Sequence, residues 1–163
     1  MKPQKGDFGL VTIPGSVGFL IRVGQWLNGN GFKNYEHAFI YVDENTIVEA
    51  MPGGAIVSEA AKYASVRVST VPLTDEQRQG IADTARSLQG TPYSFLDYFA
   101  IAAHRFHLPV PGLRKYIEST RHLICSALVD ECYNKAGVEL FDDYRWDGYV
   151  TPADLLIYTG VAQ

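Results

Sequence analysis

The sequence is poor in cysteine, with only Cys125 and Cys132 among its 163 residues. Both lie in one helix-like stretch, seven positions apart, which corresponds to roughly 10 Å along a helix. A disulfide needs Cα atoms about 5.5 Å apart, so these two residues should not be bonded to each other. Two reduced thiols suit a reducing compartment, but a catalytic thiol also works outside the cell, so the compartment stays open.

The chain also lacks an excess of positive charge and a long apolar run. Its formal net charge is −4 and its 14 lysines and arginines are scattered, which disfavours a nucleic-acid partner. The apolar stretch at residues 95–103 is interrupted by Asp97 and is too short to span a bilayer. Residues 1–7 are polar, so no signal peptide is expected. We therefore expect a soluble protein without an integral membrane segment, either cytoplasmic or released by lysis, a secretion system or a phage machine.

Hydrophobic residues make up 47% of the chain, which is enough for a single domain over residues 1–163 without disulfide or metal staples. Alternating apolar residues predict strands, whereas helical spacings and capping residues, including a Thr74–Gln77 capping box, predict helices. The predicted strands lie at residues 8–13, 35–42, 46–50 and 66–71, and the predicted helices at residues 16–27, 74–88, 95–104 and 123–137.

Cys125 stands at the start of the helix-like stretch at residues 123–137. One apolar stripe follows it at helical spacings, through Leu128, Val129 and Cys132. Unpaired backbone N–H groups and the macrodipole near a helix N-terminus favour the thiolate, which is the nucleophilic form of cysteine. A lone cysteine is more often a small buried hydrophobe, so a nucleophile at this position also requires a base.

The best-placed base is His37, which opens a strand-like run followed by a second run that ends near Glu49. The register of this hairpin decides whether the two side chains can meet. A three-residue loop at residues 43–45 puts Phe39 opposite Glu49 and places His37 diagonally on the same face. A two-residue loop would pair Glu49 with Ala38 and turn it to the other face. We favour the three-residue loop.

Cys125, His37 and Glu49 are therefore the predicted catalytic triad. Imidazole can take the thiol proton and return a proton to the leaving group, while a carboxylate on its other nitrogen fixes the tautomer. The remaining histidines lack a recognised ligand spacing, so we expect no metal and no cofactor. These histidines are His104, His107 and His122.

Six short motifs follow one another in an order that resembles the circularly permuted branch of the NlpC-type papain-like superfamily, close to the YiiX-like hydrolases. In that branch the histidine and its polar partner precede the cysteine. No single motif is specific, but together they cover most of the chain. They are Gly6-Asp7, Tyr35-Glu-His37, Val48-Glu-Ala50, Gly90-Thr-Pro-Tyr93, Ile124-Cys-Ser126 with Leu128-Val129, and Thr151-Pro-Ala-Asp-Leu155.

The resemblance implies an α+β, permuted papain-like fold, in which a small antiparallel sheet packs against helices that include the cysteine helix. It also implies thiol-based cleavage or transfer at an acyl centre, with Cys125 as nucleophile, His37 as base and then acid, and Glu49 as the orienting residue. The backbone N–H of Cys125 is the natural oxyanion donor, and Tyr35 is a candidate side-chain donor.

Three functions are compatible with these residues. The first is a cysteine peptidase or amidase that cleaves an amide bond, in a peptide or a peptidoglycan stem peptide, through a thioester acyl-enzyme. The second uses the same triad on a lipid or thioester acyl group. It is less favoured because the related lecithin-retinol-acyltransferase-like proteins carry Asn-Cys-Glu-His where this chain has Ile124-Cys-Ser-Ala127. The third is a non-catalytic binding module. The oligomeric state stays open.

Overall fold

The computed structural model describes residues 2–27, 29, 31–51, 53–92, 125–141 and 150–159. The described part of the chain is an α+β structure with one antiparallel five-stranded sheet in the order β4-β3-β2-β1-β5. The strands are β1 (Phe8–Val11), β2 (His37–Tyr41), β3 (Thr46–Met51), β4 (Gly54–Glu59) and β5 (Arg67–Val68). The helices are α1 (Gly15–Leu27), α2 (Asp75–Ser87), α3 (Cys125–Lys135) and α4 (Pro152–Leu155), with 3-10 turns at Ala60–Lys62 and Leu156–Tyr158.

Capping residues account for the start of two helices. The predicted capping box of α2 is present, since Thr74 Oγ1 accepts from Gln77 N at 3.2 Å and Gln77 Oε1 accepts from Thr74 N at 2.9 Å. Helix α4 begins with a second box between Thr151 and Asp154, and proline occupies its first turn. The predicted helix at residues 95–104 lies outside the described residues.

The strand predicted at residues 66–71 is much shorter than expected, because only Arg67 and Val68 pair with β1 as a regular strand. Beyond them, Ser69 forms an isolated bridge with Thr159, and the backbone N–H of Thr70 donates to Tyr158 at 2.8 Å. The backbone N–H of Ser69 still donates to Phe8 of β1 at 2.9 Å. Residues 158–159 therefore add a neighbour on the other side of this segment, which no local pattern indicates.

Both faces of the central strands of the sheet are covered. On one face, Ala38 and Ile40 of β2 and Val48 of β3 belong to the core formed with α2 and α3. On the other face, Phe39 and Tyr41 belong to a smaller buried cluster. Burial on both sides explains why residues 38–42 are apolar without alternation. The fully buried large side chains of the main core include Tyr133, Phe8, Leu10, Ile81 and Leu128.

The Gly6-Asp7 motif anchors the start of β1 to two helices. Asp7 accepts from Arg78 of α2 at 2.8 Å, and the carbonyl of Gly6 accepts from the hydroxyl of Tyr133 in α3 at 2.9 Å. Gly6 has φ +87°, and a Cβ there would lie 2.8 Å from the Cα of Arg78. Only glycine fits this close approach in a left-handed conformation. The motif therefore has a structural role in this chain.

Candidate active site

The β2–β3 hairpin has the predicted three-residue loop. Phe39 pairs with Glu49 across the two strands, and the backbone N–H of Val42 donates to Thr46 at 2.9 Å. Within the loop, Asp43 Oδ1 accepts from the backbone N–H of Asn45 at 2.9 Å and of Thr46 at 2.8 Å. This side-chain turn is a common way for aspartate to hold a tight loop. The register prediction is confirmed.

His37 and Glu49 meet as this register requires. The distance from His37 Nε2 to Glu49 Oε2 is 2.9 Å, and the two residues are 3% and 0% exposed. The carboxylate holds the ring and keeps a proton on Nε2. The other ring nitrogen, Nδ1, is then the one that can exchange a proton with a nucleophile.

Cys125 is the first residue of α3 in the described part of the chain. Helix α3 packs against β2 and β3, which brings its first turn to the end of β2 where His37 lies. The Cys125 thiol is close enough to His37 to raise the pKa of the imidazole, and Cys125 Sγ lies 3.9 Å from the carbonyl oxygen of Glu36, the residue before His37. The thiol therefore lies beside the imidazole, which is hydrogen-bonded to the Glu49 carboxylate.

The protonation of the two partners follows from their surroundings. Burial lowers the pKa of His37, but its hydrogen bonds and charge interactions with Cys125 and Glu49 outweigh burial and raise the pKa to about 9. Burial raises the pKa of Glu49, but hydrogen bonds from His37, Lys62, Ser58 and Tyr63 outweigh it and lower the pKa to about 2. At neutral pH an imidazolium beside a thiol favours the thiolate, which is the nucleophilic form of cysteine.

Three residues that interact with Glu49 were not predicted from the sequence. Lys62 Nζ lies 2.5 Å from Glu49 Oε1, and Tyr63 donates to Glu49 Oε2 at 2.6 Å. Ser58 also helps to lower the pKa of the carboxylate. The β3–β4 register pairs Ile56 with Glu49, so Ser58 lies diagonally from Glu49 and could have been found from that hairpin. Lys62 is the last residue of a 3-10 turn and Tyr63 follows it, and neither shows a spacing pattern.

Tyr35 precedes β2 and is partly buried against the main core. The guanidinium carbon of Arg67 lies 5.7 Å from the centroid of its ring, and its carbonyl accepts from Gln25 Nε2 at 3.0 Å. These contacts fix the ring and the backbone of Tyr35 near the site. Its role as an oxyanion donor stays a prediction.

Helix α1 holds the segment that carries His37. The carboxylate of Glu36 accepts from the backbone N–H of Ile13 at 2.8 Å and forms an ion pair with Arg22 at 3.1 Å. Burial raises the pKa of Glu36, and these two contacts oppose the rise. Glu36 was also missed, although Arg22 and Gln25, two polar residues one turn apart in an apolar helix, were a usable signal.

Cys132 differs from Cys125 in its surroundings. It is fully buried in the main core, as predicted, and burial raises the pKa of its thiol far above the usual range. No disulfide joins the two cysteines, which agrees with the helical spacing. A buried neutral thiol of this kind is chemically inert.

Among the described residues, no group of three or more histidine, cysteine, aspartate or glutamate side chains could hold a metal ion. His104, His107 and His122 lie outside the described residues, as does the apolar stretch at residues 95–103. No helix in the described ranges is both long enough and apolar enough to cross a membrane.

No protein-family model matches this sequence, and no curated protein sequence matches it either.

Proposed function

We propose that this protein is a cysteine hydrolase with a circularly permuted papain-like fold of the NlpC type. The observation that carries the proposal is the Cys125 thiol beside an imidazole, His37, that is hydrogen-bonded to the Glu49 carboxylate. The order of these residues along the chain supports the permuted arrangement, as does the packing of α3 on the hairpin that supplies the other two.

In the first half of the reaction, the Cys125 thiolate attacks the carbonyl carbon of an amide. A C–S bond forms, and the carbonyl electrons move to the oxygen, where the backbone N–H of Cys125 donates to the developing charge. The C–N bond then breaks. The leaving nitrogen takes the proton of the His37 imidazolium, so a thioester and a neutral imidazole remain.

In the second half, water resolves the thioester. His37 takes a proton from the water as its oxygen bonds to the acyl carbon, and the C–S bond breaks to restore the thiolate and the imidazolium. Glu49 stays ionised throughout, because its pKa of about 2 lies far below neutral pH. Its role is to hold the ring and stabilise the imidazolium.

The proposed substrate is a peptide, and within this class the stem peptide of peptidoglycan is the substrate that the family resemblance favours. A lipid or thioester acyl group would react with the same thiol by the same steps. The two classes differ in the acyl group that remains on Cys125, so the mass of a trapped acyl-enzyme distinguishes them.

One observation favours a second candidate, a binding module that keeps the fold without catalysis. Cys125 is 1% exposed and His37 is 3% exposed, and a nucleophile must meet its substrate. The reactivity of the thiol under native conditions therefore decides between the two functions.

The deciding measurement is the pH profile of iodoacetamide alkylation at Cys125, read by peptide mass mapping. An enzyme should alkylate well below the ordinary thiol pKa of about 8.5, and the His37→Ala variant should lose this low-pH reactivity by roughly tenfold or more. Cys132 is the internal control and should stay unlabelled until the protein is unfolded. Glu44→Gln, an exposed position of the same hairpin, is the matched control variant and should keep the parent profile.

If Cys125 reacts no faster than Cys132 in the folded protein, and His37→Ala changes nothing, the hydrolase proposal is wrong. The binding module would then be the better interpretation.

A further inference from the structure

Both oxygens of the Glu49 carboxylate are occupied, although the residue is fully buried. Oε2 accepts from Tyr63 at 2.6 Å and faces His37 Nε2 at 2.9 Å. Oε1 faces Lys62 Nζ at 2.5 Å. The imidazole is therefore one of three partners of this carboxylate, and another of them, Lys62, is a cation.

The segment that supplies these two donors is itself held in place. Ala60 N donates to Asn45 in the β2–β3 loop at 2.7 Å, and Tyr63 N donates to Ala60 at 3.1 Å, which closes the 3-10 turn. The Tyr63 ring stacks on Phe39, with ring centroids 5.2 Å apart and an interplanar angle of 5°. Tyr63 therefore reaches Glu49 from a fixed position, packed against the hairpin that carries His37.

The charges around His37 come from several elements. The Cys125 thiol lies on α3, Glu49 lies on β3, and Lys62 and Tyr63 reach Glu49 from the turn after β4. From α1, Arg22 pairs with the carboxylate of Glu36, the residue before His37. Lys62 is the only one of these groups that places a positive charge directly on the carboxylate that faces the imidazole.

A cation on Glu49 has a defined effect on His37. It partly neutralises the negative charge that the imidazolium experiences, and it is itself repelled by the imidazolium. The Tyr63 hydroxyl has a similar but smaller effect, because it shares Oε2 with His37 and withdraws electron density from that oxygen. Both contacts therefore make the imidazolium easier to deprotonate, while they prevent the carboxylate from rotating away.

We propose that Lys62 and Tyr63 are positioning residues, which fix the Glu49 carboxylate and limit its charge so that His37 can release its proton during turnover. The inference rests on the proposed Cys125–His37 chemistry. Without the two donors, His37 would hold its proton more tightly, and it would act well as an acid toward the leaving group but poorly as a base toward water.

The test compares the parent protein with Lys62→Met, with Lys62→Arg as the conservative rescue. The Lys62 side chain is 37% exposed, so methionine, of similar length, can replace it with little disturbance of the core. The readout is the titration midpoint of the His37 ring, followed by NMR on 13C-labelled histidine and assigned with His37→Ala.

We expect the His37 midpoint to rise by about half a pH unit to one pH unit in Lys62→Met and to return to the parent value in Lys62→Arg. The difference should shrink at about 1 M salt, because a partly exposed charge is screened. Tyr63→Phe, which keeps the ring stacked on Phe39, should shift the midpoint in the same direction by a smaller amount. A purely structural role for Lys62 would leave the midpoint unchanged.

A midpoint in Lys62→Met that is equal to that of the parent, or lower, would overturn the inference. Failure of the proposed function would be recognised by a different result. Cys125 of the parent protein would then react no faster than Cys132 with iodoacetamide, and His37→Ala would change nothing, whatever residue stands at position 62. Circular dichroism confirms that each variant is folded before it is titrated. If Lys62→Met does not fold, Tyr63→Phe provides the second variant.

Discussion

Replacing Glu49 with glutamine should remove a pH-dependent part of the free energy of unfolding. The Glu49 carboxylate is buried, which by itself raises its pKa, but its donors lower the pKa from 4.5 to about 2. Between these two values the unfolded chain binds more protons at this position than the folded protein does. Stability from Glu49 is therefore complete above about pH 4.5 and is lost as the pH falls toward 2.

The size of the effect follows from the two pKa values. One pH unit corresponds to about 1.4 kcal/mol, so the full contribution of Glu49 is roughly 3 kcal/mol. About 2 kcal/mol of it should be lost by about pH 3, where the unfolded carboxylate is mostly protonated and the folded one is not. Because Glu49 is fully buried, water does little to screen its contacts.

The measurement is urea unfolding of the parent and of Glu49→Gln at several values between about pH 6 and about pH 3. Other carboxylates titrate in the same range, so the difference between the two curves is the relevant quantity. The parent should lose about 2 kcal/mol more than Glu49→Gln over this range. Glu44→Gln, which removes an exposed carboxylate from the same hairpin, should follow the parent closely.

Two parallel curves, separated by a constant offset, would refute this reasoning. They would mean that the contacts of Glu49 with His37, Lys62 and Tyr63 do not favour its ionised form in solution.

Two further predictions concern the scaffold around the site. Gly6→Ala should be more destabilising than Gly90→Ala by at least about 1 kcal/mol in urea unfolding. Both glycines have a similar φ, +87° and +83°. At Gly6 the new Cβ would meet the backbone of Arg78, whereas at Gly90 it would meet no atom of the described residues within 4 Å. Equal losses of stability in the two variants would contradict the close approach at Gly6. Thr74→Ala should cost about 1 kcal/mol by removing the capping box of α2, and a loss below about 0.3 kcal/mol in the same assay would show that the cap contributes little.

The features that were predictable from the sequence are those whose causes lie within a few residues. The turn at residues 43–45 sets the hairpin register through local hydrogen bonds of Asp43. Once the register is set, the two-residue period of a strand places His37 and Glu49 on one face. The start of α2 at Thr74 has a similarly local origin, because both hydrogen bonds of its capping box span three residues.

The strand at residues 66–71 shows where such reasoning fails. Its residues favour a strand, but its length depends on which chain segments are available as partners. Its regular pairing with β1 stops near Phe8, the first residue of β1, and beyond Val68 the segment bonds on its other side to residues 158–159. An edge strand ends where its neighbouring strands end, and a local sequence pattern does not predict which distant segments those neighbours are.

Local sequence patterns were enough to predict the three candidate residues, the hairpin that unites His37 with Glu49, and the capping of α2. The approach of Cys125 to His37, and the contacts of Lys62 and Tyr63 with Glu49, are visible only in the folded chain. These contacts depend on how α3 packs against the sheet and on how the turn after β4 lies against the hairpin. Packing is settled by the shapes and burial of many side chains together, whereas turns and caps are settled by a few neighbouring hydrogen bonds.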